Sequence, residues 1–139
     1  MGKVPIPTVK PVILIDSNEK KPWIFEESDT FGASRIISLE DADYTIDIFK
    51  DSNFLWLERK NDFKELARNL FSKVDRRRFT DCLERSKKYK YKYLIVESNF
   101  EDVYYQRIPR FRVPPDAVIA KLIETSMNYG INIIFGGNK

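Results

Sequence analysis

The sequence predicts an α/β domain in which a mixed β-sheet is flanked by helices. Three observations lead there. Short apolar runs rich in β-branched residues, such as Val12-Ile13-Leu14-Ile15 and Tyr93-Leu94-Ile95-Val96, have the length of buried strands. Two stretches, 63–70 and 118–129, carry apolar residues at helical spacing. The two kinds of segment follow one another as strand, strand, hairpin, helix, helix, strand, helix, strand, which suits neither a sandwich nor a bundle.

The elements are justified in turn. Residues 12–15 form a strand bounded by Pro11 and Asp16. Pro22 and residues 26–32 read as loop, and residues 35–39 as a second short strand. Residues 42–49 and 53–60 make a hairpin turning at Lys50-Asp51-Ser52. Its apolar pattern is satisfied by a register that places Ile46 opposite Leu57 and Ile48 opposite Leu55, so Asp43, Glu58 and Lys60 share the other face. Asn61 then caps a helix whose inward residues are Phe63, Leu66, Ala67 and Leu70. A second helix begins near Asp75 and turns Phe79, Cys82 and Leu83 inward. The strand at 93–96 is apolar throughout, as expected of a strand inside the sheet. Residues 100–105 read as a short helix, and residues 106–113, with Pro109, as a basic loop. Pro114-Pro115-Asp116 opens the last helix, Gly130 ends it, and residues 131–135 are the final strand. Residues 1–11 read as an extended segment ahead of a single domain at 12–139.

Composition narrows the chemistry. The chain has 139 residues, of which 42% are hydrophobic and 32% charged, values of a folded domain that can bury a core without a staple. No apolar run approaches the roughly 18 residues of a membrane span, so no membrane partner is expected. The first ten residues lack the apolar stretch of a signal peptide. A lone cysteine, Cys82, precludes an internal disulfide and suits a reducing, intracellular compartment. The absence of histidine removes the usual Ser-His and Cys-His nucleophile systems and a conventional zinc site. Catalysis would rest on carboxylates, lysine, arginine, tyrosine or an oxygen-bound metal.

The net charge is +3, but its distribution is uneven. Between Arg59 and Lys92 there are thirteen Lys/Arg against five Asp/Glu. Such a stretch points to a polyanion partner or to a solvated helical face. The hairpin carries the sharper signal. Two carboxylates and a lysine on one surface suit Mg²⁺ or Mn²⁺, hard cations that take one or two carboxylates together with water and substrate phosphate. Asp16, at the end of the first strand, can add a ligand, with Glu19 nearby. Structural ion pairing among Asp43, Glu58, Arg59 and Lys60 is the alternative reading of the same residues.

These residues also fall into a known pattern. Ala42-Asp43-Tyr44 followed by Glu58-Arg59-Lys60 resembles the Gly-Asp-Tyr and Glu-Arg-Lys hallmark of XPF-type nuclease domains, structure-specific DNA endonucleases of the restriction-endonuclease-like fold. Asp16-Ser17-Asn18-Glu19, Arg77-Arg78-Phe79, Tyr93 to Glu97 and Tyr129-Gly130-Ile131 resemble further family elements in the same order. The resemblance covers residues 12–138. Three positions depart from the pattern: Ala42 replaces glycine, Asn18 replaces arginine, and Lys64 stands where an aspartate is expected.

The resemblance implies a metal-dependent endonuclease acting on branched, forked or flapped DNA. By it, Asp43 and Glu58 are the metal ligands and Lys60 the catalytic lysine. Asp16 completes the acidic site, and Arg59 supports it or touches phosphate. Arg76, Arg77, Arg78, Arg85, Lys87, Lys88, Lys90 and Lys92 become candidate phosphate contacts, as do Arg107, Arg110 and Arg112 around Phe111. A weakened or inactive module that binds DNA or scaffolds a partner is the second reading, motivated by Asn18 and Lys64. The resemblance also implies a homodimer or a partner subunit, with the helix at 115–129 and the strand after Ile131 as its surface.

Overall fold

The computed structural model describes residues 10–105 and 113–137. Residues 1–9 of the segment expected at 1–11 and the candidate contacts Arg107, Arg110, Phe111 and Arg112 lie outside the described residues. The elements are β1 (Ile13–Asp16), β2 (Arg35–Ile37), β3 (Tyr44–Ile46), β4 (Leu55–Lys60), α1 (Phe63–Phe71), α2 (Lys73–Ser86), β5 (Tyr91–Val96), α3 (Asp102–Tyr105), α4 (Pro115–Tyr129) and β6 (Asn132–Phe135). The strands form one six-stranded sheet in the order β2-β1-β3-β4-β5-β6. β3 runs antiparallel to both β1 and β4, whereas the β1–β2, β4–β5 and β5–β6 pairs are parallel. This is the mixed, helix-flanked α/β sheet expected, with β5 inside it.

The two faces of β4 are covered differently. Trp56 joins Leu94 and Val96 under the inward residues of α1, α2 and α4, including Phe63, Leu66, Leu70, Phe79, Leu83, Val118 and Leu122. The alternate residues Leu55 and Leu57 meet Trp23, Phe25 and Phe31 of the β1–β2 connection, with Ile13, Ile46 and Ile95 around an apolar cavity of about 250 Å³. The helix-covered face is therefore the one that carries Glu58 and Lys60.

The hairpin register differs from the sequence expectation by two residues. Tyr44, not Ile46, pairs with Leu57. A two-residue slip preserves the parity of the faces, so Asp43 stays on the same side as Glu58. The cause lies at each end of β3. Asp43 N–H donates to the Leu57 carbonyl at 3.1 Å, while the Arg59 N–H donates to the Asp43 carboxylate at 2.8 Å in place of a ladder bond. At the other end, Asp47 Oδ1 accepts from Val12 N–H at 3.1 Å and from Ile48 N–H at 2.9 Å. That turns the chain into a 3-10 turn at Asp47–Phe49 and leaves Ile48 exposed rather than paired.

Helix boundaries follow capping chemistry. Asp62, not Asn61, is the N-cap of α1, accepting from Glu65 N–H at 2.7 Å, and Glu65 reaches back to Asn61 N–H at 2.7 Å. The α1 residues expected inward, Phe63, Leu66, Ala67 and Leu70, are the buried ones. Only Ser72 separates α1 from α2, so α2 starts two residues before Asp75. Gly130 ends α4 in the left-handed conformation, φ 63°, which a residue without Cβ adopts without strain.

Candidate active site

The sheet carries Asp43 and Glu58 on adjacent antiparallel strands with their side chains on the helix-covered face. The two carboxylates are close enough to act on each other's ionisation. Burial raises the pKa of Asp43, against the lowering effect of the Arg59 N–H. Burial also raises Glu58 well above the usual carboxylate range, and the Asp43 charge adds to the effect. Both shifts run toward the protonated form, and a bound cation would oppose them.

Lys60 lies two residues along β4 on the same face. Its Nζ is 3.9 Å from Glu58 Oε1 and 4.8 Å from the centre of the Phe79 ring. Cys82 Sγ contacts Glu58 Oε2 at 3.7 Å from the α2 side. Burial, reinforced by Glu58, pushes the Cys82 thiol up to about 12, the value of an inert thiol. Glu58 and Lys60 open into a cleft of about 320 Å³ between β4 and the first two helices, lined also by Glu65, Asn69, Asp75, Arg78, Phe79, Cys82 and Arg85.

Asp16 stands apart from this pair in its bonding. Its N–H donates to the Asp43 carbonyl at 2.8 Å, which places it beside Asp43. Its Oδ1 accepts from Leu39 N–H at 2.9 Å, a brace for the end of β2. Among the described residues no three His, Cys, Asp or Glu side chains converge to hold a metal. The donor set that fits a cation is accordingly Asp43 and Glu58. Two carboxylates match what a hard divalent ion takes from a protein when water and phosphate supply the rest.

Arg59 points to the opposite face. Its guanidinium, 1% exposed, meets Glu19 at 3.0 Å and Glu97 at 2.9 Å and lies 4.8 Å from the centre of the Trp23 ring. Tyr44 OH donates to the same Glu19 at 3.1 Å, and Trp23 Nε1 donates to Glu97. Burial opposes the charge of Arg59, but the Glu97 and Glu19 hydrogen bonds outweigh it and hold the group protonated. Of the two roles expected for Arg59, its placement fits the supporting one.

The basic residues divide into two groups. Arg76, Arg77 and Arg78 are exposed at the start of α2, with Arg78 on the cleft. Lys87 pairs with Glu84 at 2.8 Å, while Arg85 and Lys88 pair with Asp41 at 3.2 and 2.7 Å. Three residues of the site escaped sequence reasoning: Asp41, Glu65 and Asn69. Asn69 Oδ1 is buried and has no hydrogen-bond partner among the described residues. The helix phase turns Glu65, rather than the exposed Lys64, to the cleft.

Comparison with known proteins agrees with the fold. The model of the ERCC4 domain family matches residues 15–139. Among solved structures, XPF from Aeropyrum pernix superposes with a TM-score of 0.63 at 19% identity, over 92% of this chain and 54% of that one. The chain thus spans about half the length of that structure, and the likeness shows a shared fold. No curated protein is similar enough to match.

Proposed function

The chain belongs to the ERCC4 domain family and is a nuclease-family module; on that premise we propose that it is a DNA endonuclease dependent on Mg²⁺ or Mn²⁺ and directed at branched, forked or flapped DNA. The observation that carries the proposal is Glu58, close to Asp43 and 3.9 Å from Lys60 Nζ, on a cleft that Lys60, Arg78 and Arg85 also line. Asp43 and Glu58 would hold the cation. When bound, such an ion neutralises charge on the scissile phosphate and acidifies the attacking water. Lys60 places a positive charge where the phosphate gains negative charge. The exposed arginines at the start of α2 supply phosphate contacts that do not depend on sequence.

The second reading is a module that binds DNA or scaffolds a partner without cleaving it. It is favoured by the two-carboxylate donor set, by Asn18 and by Lys64. Among the described residues no helix is long and apolar enough to cross a membrane. Exposed Ile123, Met127 and Ile134 on α4 and β6 support association with a second copy or a partner subunit through that surface.

The test is cleavage of forked and flapped DNA with Mg²⁺ or Mn²⁺ by the wild type and by Asp43→Asn. Cleavage by the wild type alone supports an enzyme. Equal cleavage by both proteins rejects the assigned site, and salt-sensitive binding without cleavage supports the second reading.

A further inference from the structure

Asp41 stands two residues ahead of Asp43, and its carboxylate is only 2% exposed. Four contacts hold the residue. Its Oδ1 lies 3.2 Å from Arg85 Nε, and its Oδ2 lies 2.7 Å from Lys88 Nζ. Tyr89 OH donates to Oδ2 at 3.1 Å, and the Asp41 carbonyl accepts from Trp56 Nε1, in the core, at 3.1 Å. The carbonyl thereby ties the residue to Trp56 of β4, and the carboxylate ties it to the C-terminal end of α2 and the residues that follow.

Arg85 meets this carboxylate through Nε. Among the described residues it makes no other ion pair, and half of its side chain is exposed. It also lines the cleft that holds Glu58 and Lys60, next to Cys82, whose sulfur touches Glu58. A guanidinium gripped at Nε keeps its two terminal nitrogens for a second anion, and their fork matches two oxygens of one phosphate. A flexible arginine would lose conformational freedom on meeting DNA, whereas one already clamped loses less.

We propose that Asp41 is a positioning residue that aims Arg85 into the cleft, so that the terminal nitrogens of Arg85 bind a DNA phosphate beside Glu58 and Lys60. The proposal rests on the nuclease reading and adds to it a phosphate subsite built from residues outside the Asp43–Glu58–Lys60 set. Lys88 offsets the charge of Asp41, so the clamp leaves the positive charge of Arg85 available to DNA. A simple clasp between α2 and the loop before Asp43 would use the same contacts, but it would need no free guanidinium edge at the cleft.

The experiment compares wild type, Asp41→Asn, Arg85→Ala, Arg85→Lys and the Asp41→Asn/Arg85→Ala double variant. Single-turnover cleavage of a forked DNA is measured at saturating protein with Mn²⁺, together with DNA affinity in EDTA and the thermal midpoint. Asp41→Asn is expected to slow cleavage by at least about tenfold while affinity stays within about twofold, since no positive charge is lost. Arg85→Lys, which keeps the charge but not the Nε anchor, should slow cleavage similarly. The double variant should be no slower than Arg85→Ala by more than about twofold, because the two residues act through one contact. If Asp41→Asn lowers the thermal midpoint, Arg85→Lys decides, since its half-exposed side chain can change without loss of fold. Rates within about twofold of wild type for Arg85→Lys, or additive losses in the double variant, overturn the proposal while the nuclease reading stands. A wild type that cleaves nothing overturns that reading, and the proposal falls with it.

Discussion

The carboxylates of Asp43, just ahead of β3, and Glu58, on β4, lie close enough for each to shift the ionisation of the other. The antiparallel register brings them together on the helix-covered face, where Glu58 borders the cleft. Partial burial and mutual proximity both raise the cost of ionising the pair, a cost that a bound cation would offset.

The first prediction concerns pH. Raised carboxyl pKa values mean that the folded protein binds more protons than the unfolded chain between the ordinary carboxyl range and the raised values. Stability from this pair is then fully present below the unfolded pKa and is lost as pH rises through the folded values. Glu58→Gln should flatten that decline, and thermal melts from pH 4 to 8 read the difference. A wild-type midpoint that rises across this window because of Glu58 would contradict the assignment.

Metal should act against the same decline. At pH 8, Mn²⁺ at about 100 times its Kd stabilises the fold by about 2.7 kcal/mol, and EDTA reverses it. The gain should vanish in Asp43→Asn, which differential scanning fluorimetry checks directly.

Cys82 should be nearly unreactive. With its thiol pushed up to about 12 from 9.0, its thiolate fraction at pH 8 is about a thousandfold below that of an ordinary cysteine. Alkylation of the native protein by iodoacetamide, followed by mass spectrometry, should be correspondingly slow and should become fast on unfolding. Rapid labelling of the folded protein would place the thiol elsewhere.

Arg59 should matter for stability through its own face of the sheet. Arg59→Ala leaves Glu19 and Glu97 without the guanidinium they share, and loss of one partner of a buried ionic cluster costs about 3–5 kcal/mol. Urea unfolding should record that loss. A change below about 1 kcal/mol would mean that the cluster contributes little.

DNA affinity should follow the division among the basic residues. Arg76, Arg77 and Arg78 are exposed, whereas Lys87 is engaged by Glu84. Each phosphate contact removed should reduce the slope of log affinity against log salt by about one. Arg78→Ala should show this in EDTA, and Lys87→Ala should show less.

Much of the architecture was legible because it is written in short-range patterns. The α1 residues Phe63, Leu66, Ala67 and Leu70 repeat with the helical period, and Gly130 marks a helix end that only a left-handed residue closes easily. The parity of Asp43, Glu58 and Lys60 survived a two-residue error in register, because faces repeat every two residues. The register itself was hidden, since it depends on a side chain, Asp43, replacing a backbone acceptor for Arg59. The opposite fates of Arg59 and Lys60, neighbours of like charge, follow from which face each takes and from distant partners such as Glu97. The role of Asp41 could not be read either, because its cations, Arg85 and Lys88, lie more than forty residues away and meet it only through the packing of α2 against the sheet.

The central claim is that Asp43 and Glu58 together hold the catalytic cation, and the most direct measurement is the anomalous diffraction signal of Mn²⁺ soaked into crystals of the protein. A single peak between the two carboxylates, absent from Asp43→Asn crystals grown and soaked in the same way, is the predicted result. Well-ordered crystals in saturating Mn²⁺ with no peak beside Asp43 and Glu58 would contradict it.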